Sequence, residues 1–270
     1  MVKKEVSGTQ RDFERVTVSD GIRFRYAKGR SMQSGAEIHP FYEILFFIKG
    51  DAEFISEKER MRVADNTLFL IPAETFHRFD IRDQGSYERC VFNFSPPEEL
   101  NATVSEIMTE IRVMGDCNRE ISGIFSRLKR LSEDAFSDAE RETMMKSLFY
   151  QLVMELRLCT ESFTSLKMRS AESIVARAIA YIDGHYREKI SVEVIARELN
   201  VSRSLLSHYF KCELNVSVYR YITEKRLAYA HRLIQSGTPI TEVSRICGYG
   251  DYSVFYRAYT KMFGKRNTEK

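Results

Sequence analysis

Between residues 21 and 95 the apolar residues fall in short runs, and from residue 97 onward they recur with helical spacing. The runs 22–26, 42–49, 52–56, 67–71, 77–81 and 87–94 are rich in Ile, Phe, Tyr and Val. Gly50 with Asp51, Asp65 with Asn66, and Gln84 with Gly85 interrupt them. Many short, evenly spaced strands predict a small barrel or sandwich. Helices are predicted over 97–113, 117–135 and 139–159. In the last, Met145, Leu148, Phe149, Leu152, Val153 and Leu156 form a wide stripe that reads as core against the barrel or as a dimer seam. Residues 161–172 are polar and read as a linker between an N-terminal unit, 1–160, and a C-terminal unit, 173–270. The fold class is therefore α+β, a β-barrel with trailing helices followed by an all-α unit.

The all-α unit contains one pattern twice. After a first helix over 174–185, Val194, Ile195 and Leu199 line one face of a short helix, and Leu206 and Phe210 follow after a turn. Val243, Cys247, Phe255 and Tyr259 take the matching places in a second copy, beyond a long helix over 219–236. The second turn is one residue longer. Ser191, Ser202 and Asp251 stand where N-caps belong, and Ile190 with Ile195 forms a hydrophobic staple. With the apolar residues facing inward, Arg203, Ser204, Ser207, His208 and Lys211 stay on the outer face of one second helix. Tyr252, Ser253, Tyr256 and Arg257 do so on the other, with Lys261 a turn later. Arg can pair bidentately with guanine, and Ser, His and Tyr offer adaptable donors and acceptors. Two such units in tandem suggest a reader of two neighbouring stretches of DNA major groove.

Charge supports this division. The net charge of +3 over 270 residues conceals +6 in residues 171–270 (16 Lys and Arg, 10 Asp and Glu) and −3 in the rest. A basic unit is attracted to phosphates whatever its sequence preference. Hydrophobic residues make up 43% of the chain, which excludes a disordered protein. No apolar run reaches the ~20 residues of a membrane span, and the first residues lack a secretory h-region. Cys90, Cys117, Cys159, Cys212 and Cys247 have no zinc-finger spacing and read as reduced thiols of a cytoplasmic protein.

Residues 174–264 resemble the DNA-binding domain of AraC/XylS-type transcriptional regulators. The resemblance rests on Ile195, Ala196, Leu199, Val201, Ser202, Leu206, Phe210, Lys211, Ser217, Tyr221, the run from Arg226 and Leu227 through Ala230 to Leu233 and Ile234, then Cys247, Gly248, Tyr249, Phe263 and Gly264. It implies two helix-turn-helix subdomains joined by a rigid helix, with Ser204, Ser207, His208, Tyr252, Ser253, Tyr256 and Arg257 at base-reading positions. Asn200 and Asn215 stand where the family usually has Gly, and both turns survive because Asn tolerates a left-handed backbone. Ser244 replaces a usual Ala. The last residues, Lys265 to Lys270, depart from the family's Pro-aromatic signature and put the packing of the last turn in question.

Gly35, His39, Pro40, Phe41, Tyr42, Glu43 and Gly50, with Pro72 through His77, resemble the two motifs of a cupin barrel. In this regulator family that barrel implies a small-molecule effector, with Arg23, Arg25, His39, Tyr42 and His77 as its contacts here. The partners expected are double-stranded DNA, the effector, a second copy in a homodimer, and RNA polymerase. In cupin enzymes the metal ligands are three His and a Glu. His39, Glu43 and His77 match three, but Glu37 replaces the other His, so the expectation is no metal and no cofactor. The alternative is a metal-dependent cupin enzyme with a helical appendage, which leaves the tandem motifs unexplained. A repair methyltransferase would need a zinc-held cysteine cluster that the spacing does not provide.

Overall fold

A computed structural model describes residues 13–29, 38–131, 136–167, 169–170 and 172–264. Gly35, Glu37 and Lys265 through Lys270 lie outside the described residues. The N-terminal unit is an antiparallel sheet of β1 (Phe13–Ser19), β2 (Ile22–Lys28), β3 (Tyr42–Ser56), β4 (Arg60–Val63), β5 (Thr67–Ile71), β6 (His77–Phe94), β7 (Arg112–Met114) and β8 (Thr164–Ser165). The strand order is β1-β2-β6-β3-β5-β7-β8, with β4 paired to β3.

The predicted breaks at Gly50 and at Gln84–Gly85 do not end strands. β3 runs through Gly50 and pairs with β6 twice, Tyr42 to Lys49 against Phe94 to Glu88 and Asp51 to Ser56 against Asp83 to His77, with register shifts between. A bulge changes which side chains face which way. Leu45 and Phe47 before it, and Ala52 and Phe54 after it, thereby join one apolar cluster on the concave side with Phe69, Ile71, Phe79 and Val91. Gly50 has φ +140°, and a Cβ there would lie 3.0 Å from Tyr87 Cα, so the crossing needs glycine.

The opposite face, from Ile22, Phe24, Ile44, Phe46, Leu68, Leu70, Phe92 and Phe94, is covered by α1 (Asn101–Ile107), α2 (Arg119–Arg130) and α3 (Asp138–Leu158). The helix expected over 97–113 is shorter, because the chain turns back to add β7 to β5. α3 begins at a capping box of Ser137 and Glu140. Its stripe from Met145 to Leu156 is buried against the sheet, with Phe149 centred 4.8 Å from Phe94. That stripe is core. The residues α3 leaves outward include Met144, Met154 and Leu158.

The predicted linker is partly built into the fold. β8 pairs with β7, and Leu166 is buried in the concave cluster. Arg169 Nε and Nη2 then donate to the carbonyls of Glu57 and Ser56 at 3.0 and 3.1 Å, and Nη1 reaches Glu213 at 2.6 Å. The C-terminal unit comprises α4 (Ile174–His185), α5 (Val192–Glu198), α6 (Arg203–Leu214), α7 (Val218–Gln235), α8 (Ile240–Ile246) and α9 (Tyr252–Phe263). α7 spans two cores. Its N-terminal half packs with α4, α5 and α6 through Tyr221 and Ile222, and its C-terminal half packs with α8 and α9 through Leu227, Ala230 and Ile234.

Candidate DNA interface and ligand site

Each copy of the repeat is built by the same local chemistry. In the first, Asn200 takes φ +56° and the Val201 N–H closes onto Ala196 O at 2.9 Å. In the second, Gly248 takes φ +74° and the Tyr249 N–H closes onto Ser244 O at 3.0 Å. Both are helix ends closed by a left-handed residue. Ser202 Oγ then accepts from the Leu205 N–H at 3.1 Å, and Asp251 Oδ1 from the Val254 N–H at 3.0 Å, so the caps fix where α6 and α9 begin. Asn215 ends α6 at φ +57°.

Leu206, Phe210, Phe255 and Tyr259 are buried, and this sets which faces point out. Arg203, Ser204, Ser207, His208 and Lys211 on α6 are all exposed, as are Tyr252, Ser253, Tyr256 and Arg257 on α9. Arg203 is shared with Glu193 at 2.9 Å in an exposed pair that contributes little. Tyr252 and Tyr256 stack at 5.9 Å, and Arg257 Nε donates to Ser253 O at 3.3 Å. α7, 18 residues and so about 27 Å long, spaces the two units. Arg226 on it donates to the carbonyls of Tyr186 and Glu188, each at 2.6 Å, tying the helix to the turn before α5. The residue pattern marked Arg226 but gave no partner for it.

Inside the sheet, β2 and β6 pair with Arg23 opposite Asn93 and Arg25 opposite Val91, which places both arginines on the concave side with Glu43. Tyr42 is not there. It packs on the helix-covered face, stacked at 5.9 Å on Phe94, because alternation sends it opposite to Glu43. The concave set gains residues the motifs did not flag. Arg89 is 2% exposed with Nε and Nη2 lacking hydrogen-bond partners, and its guanidinium lies 5.3 Å over the Tyr87 ring.

His39, Glu43 and His77 meet in one buried group. His39 Nε2 lies 3.3 Å from Glu43 Oε2 and His77 Nε2 lies 3.5 Å from Glu43 Oε1. Asn93 Nδ2 donates to Glu43 Oε2 at 2.6 Å. Burial alone would raise the Glu43 pKa, but His77 and then His39 hold its carboxyl well below the usual range. The segment carrying His77 also touches the DNA-binding unit. The Glu74 N–H donates to His39 O at 2.7 Å, with Glu74 itself at φ +61°. Phe76 packs at 5.7 Å on Tyr221 of α7, and Glu74 Oε1 lies 3.0 Å from Arg232 Nε. The Tyr221 hydroxyl donates to Glu57, and burial followed by the Glu57 charge pushes its pKa well above the tyrosine range. Lys225 sits between Glu57, 3.6 Å away, and Asp183. Burial would lower its pKa, but those carboxylates raise it.

Two family models match separate stretches of the chain. A family model described as AraC-like ligand binding domain matches residues 22–153, and one described as a helix-turn-helix domain matches residues 195–269. The chain is 29% identical over 152 residues to the lactose operon transcription activator of Staphylococcus xylosus, covering 56% of this chain and 54% of that protein. It thus spans about half the length of that relative. It is 25% identical over 245 residues to the Msm operon regulatory protein of Streptococcus mutans, covering 87% and 86%. Among solved structures, the C-terminal domain of AraT, a response regulator from Geobacillus stearothermophilus, is 34% identical over 36% of this chain and 82% of that one, with a TM-score of 0.34. No described helix is long and apolar enough to cross a membrane. With the two models matched in the order the fold presents them, the chain carries an AraC-like ligand binding domain followed by a helix-turn-helix domain, the make-up of AraC-type transcriptional regulators.

Proposed function

We propose that the chain is a sequence-specific, non-catalytic DNA-binding regulator controlled by a small molecule held in the N-terminal barrel. The observation that carries this reading is the pair of capped helices, α6 and α9, whose outward faces are exposed while the helix between them is docked on the ligand-binding unit. Ser204, Ser207 and His208, and Tyr252, Ser253, Tyr256 and Arg257, read bases. Arg203 and Lys211 serve the phosphates. Arg23, Arg25, His39 and His77 contact the effector. The protein acts in the cytoplasm as a homodimer through the outward side of α3, with RNA polymerase as a further partner. The names of two relatives refer to lactose and Msm operons, which supports operon control as the role.

The test is duplex DNA binding by the full chain and by residues 171–270, measured by fluorescence anisotropy against salt, with upstream DNA from the chain's own operon as probe. Both should bind, with log affinity falling linearly with log salt as phosphate counterions are released. A small molecule that stabilises the full chain thermally should change affinity only in the full chain. An identical response in both, or salt-insensitive binding, refutes the reading.

A further inference from the structure

The concave side of the sheet buries a cation that no described residue balances. Arg89 on β6 shares its rung with Ala27 of β2 and Phe47 of β3, both buried and apolar. Arg89 Nε and Nη2 are enclosed and make no hydrogen bond. They are the two parallel N–H donors on one edge of the guanidinium, the edge that grips a carboxylate or phosphate bidentately. Among the described residues no carboxylate pairs with it. The Tyr87 ring, 5.3 Å away, covers the guanidinium face and leaves that edge open. The Arg89 charge works against the rise that burial gives the Tyr87 pKa, but a neutral hydroxyl cannot balance a cation.

The neighbouring acids are committed elsewhere. Glu88, next in the chain, points to the other face of the sheet, where it pairs with Lys129 and accepts from the Tyr26 hydroxyl. Along the concave side, Arg25 opposite Val91 and Arg23 opposite Asn93 occupy the next two rungs. Glu43 is the carboxylate on those rungs of β2, β6 and β3, and Asn93, His39 and His77 already engage it. Three guanidiniums thus share a strip with one carboxylate that is taken. Arg does not shed its proton to relieve the charge, and a buried ion without a partner is costly. A site of this kind is completed by an anion from outside the chain.

We propose that the effector carries a carboxylate or phosphate group, and that Arg89 grips this group through Nε and Nη2. The proposal rests on the reading that the barrel holds the effector, and it adds the chemical class. The effector is an acidic small molecule, because a neutral sugar would leave the guanidinium uncompensated. Arg89 is then the anchor of the site, although no motif in the sequence marks it.

The experiment follows thermal unfolding of the full chain with matched probes: glucuronate against glucose, butyrate against butyramide, and glycerol phosphate against glycerol. At least one acid should raise the melting temperature of the wild type while its neutral partner does not, and the arm that responds separates carboxylate from phosphate. By calorimetry, affinity for that acid should fall about 30-fold or more in Arg89→Met. It should fall at least about 10-fold in Arg89→Lys, which keeps the charge but loses the fork. Without any acid, Arg89→Met should melt higher than the wild type, because an uncompensated buried charge is gone. Should Arg89→Met fail to fold, Arg89→Lys and the matched pairs on the wild type decide. Stabilisation by an acid that persists in Arg89→Met belongs to the basic DNA-facing helices and overturns the proposal. Stabilisation by no acid, equal stabilisation by the neutral partner, or a folded Arg89→Met that melts lower than the wild type also overturns it. A neutral probe that stabilises the wild type and Arg89→Met alike overturns the acidic class but leaves the barrel as the effector site. Salt-dependent DNA binding by Arg89→Met keeps the regulatory reading intact in either case.

Discussion

Gly248→Ala should destabilise the second helix-turn-helix unit far more than an ordinary surface substitution. Gly248 holds φ +74°, and a side chain in that region costs about 1–2 kcal/mol. The new Cβ would also lie 2.6 Å from Arg187 O, 2.9 Å from Arg187 C and 3.1 Å from Glu188 O. Those are backbone atoms, and Arg226 pins their neighbours by its bonds to Tyr186 O and Glu188 O. The turn cannot yield cheaply, so overpacking adds about 1–3 kcal/mol. The expected loss is about 2–5 kcal/mol, or a fall of at least about 30-fold in amide protection across α8 and α9, measured by hydrogen exchange on the full chain. Gly237→Ala is the comparison. Gly237 has φ +94° but nothing within 4 Å of its Cβ position, so it carries only the backbone cost. Equal losses in the two variants would refute the contact argument, and an unchanged Gly248→Ala would refute both parts.

Two further outcomes follow from the DNA-facing helices. Arg257→Ala should weaken specific DNA binding by about 1–3 kcal/mol, as expected for a lost guanine contact, with a smaller effect on random duplex; equal losses by anisotropy would make Arg257 a phosphate contact. Asp251→Ala should cost α9 about 0.5–2 kcal/mol through its lost bond to the Val254 N–H, and Asp251→Ser should recover most of it, read by helical circular dichroism on heating.

The DNA-binding unit was legible because its signals are local. Ser202, Asp251, Asn200 and Asn215 act on backbone groups within five residues, so residue type alone announces the cap or the left-handed turn. The helical period of Leu206 and Phe210, and of Phe255 and Tyr259, assigns the buried face and leaves the other exposed. His39, Glu43 and His77 were legible as motif positions, but not as one buried group sharing the Glu43 carboxylate with Asn93.

What tertiary structure alone decided concerns contacts between distant parts of the chain. β3 passes through Gly50 because Tyr87 crosses there, and the register shift reorients Ala52 and Phe54. Tyr42 lies on the helix-covered face because strand alternation, anchored by Glu43 facing the histidines, turns it to Phe94. A helical stripe such as Met145 to Leu156 has the same period whether it meets a sheet or a second chain, so only packing shows it to be core. Asn93, Glu57 and Arg169 carry no motif. Their roles exist because folding brings β6 beside β3, and the barrel's edge beside α7. Sequence determines which backbone groups are satisfied locally and which faces are apolar. Which distant partners cover those faces is decided by the packing of the whole chain.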